Sequence, residues 1–245
     1  MPKDRFEFKQ FVIHQPLNNV KKVSTDSVLL GCFAEVSNKK TALDIGCGTG
    51  LLAFMLAQKN SDLKIVAIDI NAEAIECARY NLKHSKFSEQ IELNHLALQQ
   101  FVNETELKFD IIICNPPYFS KSLKSQNIFK NQYRHQEQLN YEELVFCVNK
   151  LLDKNGSFWV LIPFYEMNNF ELLLYKHQLF IHNKIEIYSK MTKTIPYIFV
   201  YEIKKDFRNE YESKKFYILD ENNAYTNEYI DLTKDFYLWE INKII

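Results

Sequence analysis

Two short stretches carry residue types at spacings suited to chemistry. The first is Asp44-Ile-Gly-Cys-Gly-Thr-Gly50, which holds three of the chain's five glycines. It follows an apolar run and opens an apolar helical pattern. That is where an open α/β sheet receives a nucleotide-like ligand, because glycines let the backbone turn tightly and let a ligand approach the main chain. The dinucleotide fingerprint G-x-G-x-x-G does not fit, since its last glycine would fall on Leu51. A P-loop is excluded as well, because no Gly-Lys-Ser/Thr follows. Asp69 ends the next strand, about 20 residues further on, where an acid can accept both hydroxyls of a ribose.

The second stretch is Asn115-Pro116-Pro117-Tyr118, directly after the apolar run FDIIIC. Two prolines fix the backbone and remove two N–H donors, leaving carbonyl oxygens as acceptors. The Asn115 side-chain oxygen and the Pro116 carbonyl can accept both hydrogens of an exocyclic amine on a planar base or amide. Its nitrogen then turns pyramidal and aims a lone pair at an electrophile. Tyr118 can stack on the planar group, worth about 1–3 kcal/mol per base. No strong base is needed, because the proton can leave afterwards; catalysis is orientation and electrostatic preorganisation.

The surrounding pattern supplies elements to position both stretches. TALDI is a strand ending at the glycine turn, and LLAFMLAQK is a helix apolar on most sides. KIVAIDI is a β-branched strand. Asn71 then caps a helix that places Ile75, Ala78 and Leu82 on one face. QIELN and FDIIIC are strands. Asn140 and Glu143 form a capping box ahead of Leu144, Val145, Val148, Leu151 and Leu152. SFWVLIP and KIEIYS read as strands around a helix over 164–177, and PYIFVYEIKK as a further strand. Strands alternating with crossover helices predict a mostly parallel sheet covered on both faces. Both stretches then sit at carboxyl ends of strands, the second at a central strand beside the ligand place of the first. No Pro/Gly/Ser linker divides the chain. The expected organisation is an arm over 1–40, a core domain over 41–205 and an extension of it over 206–245.

Composition narrows the class. At 245 residues and 29.1 kDa the chain fits one α/β domain with modest additions. Aromatics at 14% argue against disorder and low complexity. No apolar run approaches the roughly 18 residues of a membrane span. MPKDRFEFKQ lacks the apolar stretch of a signal peptide, so no membrane partner is expected. Cys32, Cys47, Cys77, Cys114 and Cys147 never take C-x-x-C spacing, and the histidines are dispersed. The expectation is a reduced, cytoplasmic setting with no metal site. Residues 1–40 carry seven Lys/Arg against four Asp/Glu, residues 206–245 five against nine, and 119–135 four basic residues and no acid. In this last segment Lys121, Lys124, Lys130 and Arg134 interleave with Phe119, Phe129 and Tyr133. That mixture suits the phosphates and unstacked bases of single-stranded RNA.

Asp44-Ile-Gly-Cys-Gly-Thr-Gly50 with Asp69 resembles the S-adenosyl-L-methionine site of class I methyltransferases. Asn115–Tyr118 resembles the motif of those acting on adenine, guanine or glutamine nitrogens. FEFKQFVIHQ, KKVSTDSVLLG, Arg134-His135 and the tail from Tyr225 to Tyr237 extend the likeness over nearly the whole chain. The pattern is similar to the tRNA1(Val) (adenine(37)-N6)-methyltransferase family. The resemblance implies a doubly wound, seven-stranded, mostly parallel sheet with an antiparallel last strand. It implies methyl transfer from S-adenosyl-L-methionine to adenine N6 in the anticodon loop of tRNA, with Asn115, Pro116, Pro117 and Tyr118 at the reacting amine. Asp44, Gly46, Cys47 and Gly48 would hold the methionine part of the cofactor, Asp69 its ribose, and Ile70 would flank its adenine. Relatives place an acid after the third strand to meet the adenine amino group. Here His95-Leu-Ala-Leu-Gln-Gln100 has none, which leaves Leu98 or Gln99 for that contact. Thr25 and Asp26 would close over the methionine end, although the residues alone equally allow Asp26 to cap the VLLGCFA helix. Lys21 and Lys22 join Lys121, Lys124, Lys130 and Arg134 as RNA contacts, and no obligate protein partner is evident. Glutamine methylation of a release factor, guanine-N2 methylation of ribosomal RNA, and a non-catalytic binding adaptor on the same fold are the alternatives.

Overall fold

The computed structural model describes residues 4–15, 22–117 and 140–239. Its centre is an eight-stranded sheet made of β3 (Thr41–Ile45), β4 (Lys64–Asp69), β5 (Ile91–His95), β6 (Phe109–Cys114), β7 (Leu152–Pro163), β8 (Phe180–Lys190), β9 (Ile198–Lys204) and β10 (Glu212–Leu219). Across the sheet the order is β5-β4-β3-β6-β7-β9-β8-β10. All neighbours are parallel except β9, which runs antiparallel to both β7 and β8. The strand order reverses at β3 and β6, which makes a crevice beyond their carboxyl ends.

Seven of these strands match the expected layout, with the antiparallel strand inserted between β7 and β8. The eighth, β10, lies in the segment read as an extension. Glu212–Lys215 are exposed and only Phe216 and Ile218 enter the core, so the apolar signal there is too short to announce a strand.

Period-two alternation divides the core. Ile111, Ile113, Trp159 and Leu161 face one side, while Ile112, Phe158, Val160 and Ile162 face the other. The first side is covered by α1 (Thr25–Phe33), α2 (Leu51–Lys59), α3 (Ala72–Lys83) and α7 (Asn227–Thr233). The second is covered by α4 (Leu98–Glu104), α5 (Tyr141–Leu151) and α6 (Met167–Lys176). Asn71 caps α3 by accepting from Glu73 and Ala74 N–H, and Asn140 with Glu143 closes the capping box of α5. Two expectations shift. Leu152 is not helical but opens β7, where it pairs with Phe109. The helix expected over 164–177 starts with a 3₁₀ turn, Phe164–Glu166, before α6.

The arm forms an antiparallel hairpin, β1 (Arg5–Glu7) with β2 (Val12–His14), and Phe8, Phe11 and Ile13 enter the first core. The tail meets it there: Lys9 N–H donates to Phe236 O (2.8 Å), and the Tyr237 ring stacks on Phe8. Asn81 of α3, 3% exposed, ties the arm to the glycine loop. Its Oδ1 accepts His14 N–H (2.8 Å), and its Nδ2 reaches His14 O (3.1 Å) and Thr49 O (3.0 Å). Gly31 lets α1 and α2 touch, since a Cβ there would lie 2.5 Å from Met55 Sδ. At the end of α1, Lys59 Nζ donates to the carbonyls of Gly31 (3.4 Å), Cys32 (2.9 Å) and Ala34. The five cysteines are buried thiols, and no helix among the described residues is long and apolar enough to cross a membrane.

Candidate active site

Beyond the carboxyl ends of β3, β4 and β6 lies a cavity of about 390 Å³, within the range of small-ligand sites. Its walls are the glycine loop, Asp69–Asn71, Leu96–Gln99 and Cys114–Pro117, with Lys22, Val23 and Ser27 at and before α1. Gly46 and Cys47 N–H both bond to Ile68 O, so the loop is strung across the end of β4. Gly46 and Gly48 take φ of +70° and +57°, and a Cβ on either would meet nothing within 4 Å. The turn therefore demands glycine, and the space beside it is open to a ligand. Asp69 holds this loop: Oδ2 accepts Gly48 N–H (2.8 Å) and Oδ1 accepts Asn71 N–H (2.8 Å). Each carboxylate oxygen keeps a further lone pair for hydroxyl donors.

Ile70 stays 55% exposed at the cavity edge, an apolar side chain ready to be covered by a flat ring. Leu98 starts α4, where helical N–H groups lack intrahelical partners, and Ala97 supplies no side-chain cap. The neighbouring Gln99 donates its amide N–H to Glu143 Oε2 (3.1 Å), which leaves the carbonyl half as acceptor.

Asn115 follows β6 at the cavity wall. Its Nδ2 donates to Ser27 Oγ (2.7 Å), and its Oδ1 is buried without a partner among the described residues. A buried carbonyl left so costs about 1–3 kcal/mol, a deficit that an incoming N–H donor relieves. Pro116 is buried and Pro117 exposed.

The structure thus gathers Gly46, Cys47, Gly48, Asp69, Ile70, Leu98, Asn115, Pro116, Pro117 and Lys22 on one cavity. Three expected residues do not line it. Asp44 is fully buried beneath the loop, where Oδ2 accepts Ala53 N–H from α2 (3.1 Å). Burial pushes its carboxyl up to about 7, with the charge of Asp69 adding to the shift and the Ala53 N–H opposing it. Thr25 and Asp26 form the first turn of α1. The cap is Ser24, whose hydroxyl accepts Ser27 N–H, and not Asp26. Asp26 instead accepts the Tyr197 hydroxyl through Oδ1 (2.8 Å). Tyr118, Lys21, Lys121, Lys124, Lys130 and Arg134 lie outside the described residues. Sequence reasoning missed Ser27; the Ser24-x-x-Ser27 pair ahead of an apolar run was its one signal.

This sheet order, with its glycine loop and switch-point cavity, is the class I methyltransferase fold. A crystal structure of a methyltransferase from Pyrococcus furiosus shares it with a TM-score of 0.57 at 17% identity, covering 80% of this chain and 90% of that one. Residues 20–163 match the methyltransferase small domain family. Two curated relatives carry the name tRNA1(Val) (adenine(37)-N6)-methyltransferase. One, from Cytophaga hutchinsonii, is 35% identical over 235 residues, 95% of this chain and 97% of its own length. Another, from Phocaeicola vulgatus, is 36% identical over 244 residues, 97% of this chain and 99% of its own. The chain belongs to the tRNA1(Val) (adenine(37)-N6)-methyltransferase family.

Proposed function

We propose that this protein transfers the methyl group of S-adenosyl-L-methionine to N6 of an adenine in tRNA, at adenine 37 of tRNA1(Val) as its relatives' name states. The observation that carries this reading is the buried Oδ1 of Asn115, without a partner among the described residues, on the same cavity as Gly46, Gly48 and Asp69. A group with a ribose, a flat purine and a charged amino-acid end fits the donor set. Asp69 accepts the ribose hydroxyls, Ile70 and Leu98 flank the purine, and the Gln99 carbonyl accepts its amino group. Gly46, Cys47 and Gly48 leave the backbone open to the amino-acid end. Asp44 acts on that end only through the loop and α2 that it braces.

When bound, S-adenosyl-L-methionine supplies an electrophilic methyl group on a sulfonium. Asn115 Oδ1 and the Pro116 carbonyl accept the two N6 hydrogens, which draws the nitrogen lone pair out of the ring. Gly46, Cys47, Gly48 and Asp69 would hold the methyl donor so that its methyl could pass to N6, and the extra N6 proton would then leave to solvent. The target must leave the anticodon-loop stack, a smaller cost in a loop than in a duplex. In this reading Tyr118 stacks on the target base, while Lys21, Lys22, Lys121, Lys124, Lys130 and Arg134 meet phosphates. Residues 1–40 and 206–245 act as an arm and an extension of one catalytic domain, supported by Ile13 and Tyr229 sharing its core. The reaction belongs to the cytoplasm.

The test is methylation of deproteinised tRNA by the purified chain with labelled cofactor, followed by nucleoside analysis. Label in N6-methyladenosine supports the reading. Label on guanine, or only on added release factor, overturns it.

A further inference from the structure

An asparagine amide is a carbonyl at one end and an NH₂ at the other, nearly identical in shape. Which end a substrate meets is decided by what holds the opposite end. In this chain the holder is Ser27, 8% exposed in the first turn of α1. Its Oγ accepts Asn115 Nδ2–H at 2.7 Å and lies 3.0 Å from Ser24 Oγ. Ser24 is the helix cap and already accepts Ser27 N–H (3.3 Å). Either hydroxyl of the Ser24–Ser27 pair can donate to the other; in the arrangement where Ser27 donates to Ser24, only oxygen lone pairs of Ser27 face Asn115. The NH₂ end fits against them. A flipped amide would set its carbonyl oxygen against them.

We propose that Ser27 is a positioning residue for the methyl transfer, fixing the Asn115 amide so that its carbonyl oxygen is the end left for the substrate. The inference rests on the reading of Asn115 as acceptor of the adenine amine. It adds a basis for selectivity. A site presenting an acceptor suits a base carrying an amino group and disfavours one carrying a keto oxygen at the same position, because the wrong partner leaves buried polar groups unpaired. The relay also makes the helix cap part of the site: Ser24 orients Ser27, and Ser27 orients Asn115.

The experiment uses the full chain, deproteinised tRNA and labelled cofactor, with kcat, KM for tRNA and cofactor affinity measured separately. Ser27→Ala is expected to lower kcat about 10- to 100-fold, the scale of a mispositioned reacting group. Cofactor affinity is expected to stay within about threefold, because its proposed contacts are the glycine loop and Asp69, and KM for tRNA within about threefold, because phosphate contacts supply most of the affinity for a nucleic acid. Ser27→Thr, which keeps the hydroxyl, is expected to restore most of kcat. A double-mutant cycle with Asn115→Asp separates orientation from structure. A carboxylate has an acceptor at both ends, so the Ser27→Ala step is expected to cost far less in that background. An equal cost in both backgrounds, an unchanged kcat, no recovery with Ser27→Thr, or a loss that follows cofactor affinity each overturns the inference. Wild-type chain that puts no label on adenine overturns the underlying reading instead, whereas labelled adenine with an unaffected Ser27→Ala overturns this inference alone.

Discussion

Asp69 accepts the backbone N–H of Gly48 at 2.8 Å, so the acid proposed to hold the ribose also shapes the loop beside it. Its other oxygen takes Asn71 N–H, which places the cap of α3. In the proposed site, removing the carboxylate therefore removes ligand contacts and loosens the loop together. Asp69→Ala is expected to weaken cofactor binding by about 10- to 100-fold or more, since hydrogen bonds to charged groups are worth about 1.5–3 kcal/mol each. Asp69→Asn is expected to fall between, because one half of the amide is a donor facing backbone N–H groups. Titration calorimetry with the cofactor checks both.

Asn115 is expected to behave differently. It touches Ser27 and the reacting amine in the proposed reaction, and it makes none of the loop contacts. Asn115→Ala is expected to lower kcat by about 10²-fold or more, the scale for losing one preorganised polar group, with cofactor affinity nearly unchanged. Steady-state kinetics beside equilibrium cofactor binding separates the two. A collapse of cofactor affinity would make Asn115 a cofactor residue.

The parts of this molecule legible in the sequence are those where backbone demands leave a residue signature. The φ values of Gly46 and Gly48 admit few other residues, and the apolar runs of β3, β4, β6 and β7 are buried on both faces. The caps at Asn71 and Asn140 follow from local hydrogen bonding. The illegible parts depend on pairings distant in sequence. Ser27 meets Asn115 across 88 residues, and Asp26 meets Tyr197 across 171. The family resemblance puts Asp44 at the ligand, but its orientation under the loop comes from α2, whose Ala53 N–H claims it. Strand β10 was hidden because an edge strand needs only a few buried side chains.

Asn81 is expected to matter for stability more than its polar type suggests. It pairs with both backbone groups of His14 and with Thr49 O, joining the arm to the loop that ends in α2. Asn81→Ala leaves buried backbone groups without partners, at about 1–3 kcal/mol each. The expected net loss is about 2–4 kcal/mol in urea unfolding, with the midpoint shifted at constant m-value. Cofactor affinity is expected to fall as well, because the Thr49 carbonyl loses its anchor. A stability loss without any change in affinity would confine Asn81 to the arm.

The buried carboxyl of Asp44 gives the ligand-free protein a pH dependence of defined sign. Its folded-state value, about 7, lies above that of an unfolded aspartate, about 3.9. Between those values the folded state holds more proton than the unfolded state, so stability falls as pH rises through this window and levels off above about 7. The causes are desolvation first, opposed by the Ala53 N–H, with the nearby charge of Asp69 adding a smaller upward push. Asp44→Asn keeps an acceptor for Ala53 and removes the ionisation. The variant is expected to lose this slope, so that its stability relative to wild type improves from pH 5 to pH 8. Urea unfolding of both proteins at those two pH values measures the difference. A parallel pH response in the two proteins would mean that Asp44 keeps one charge state across the range.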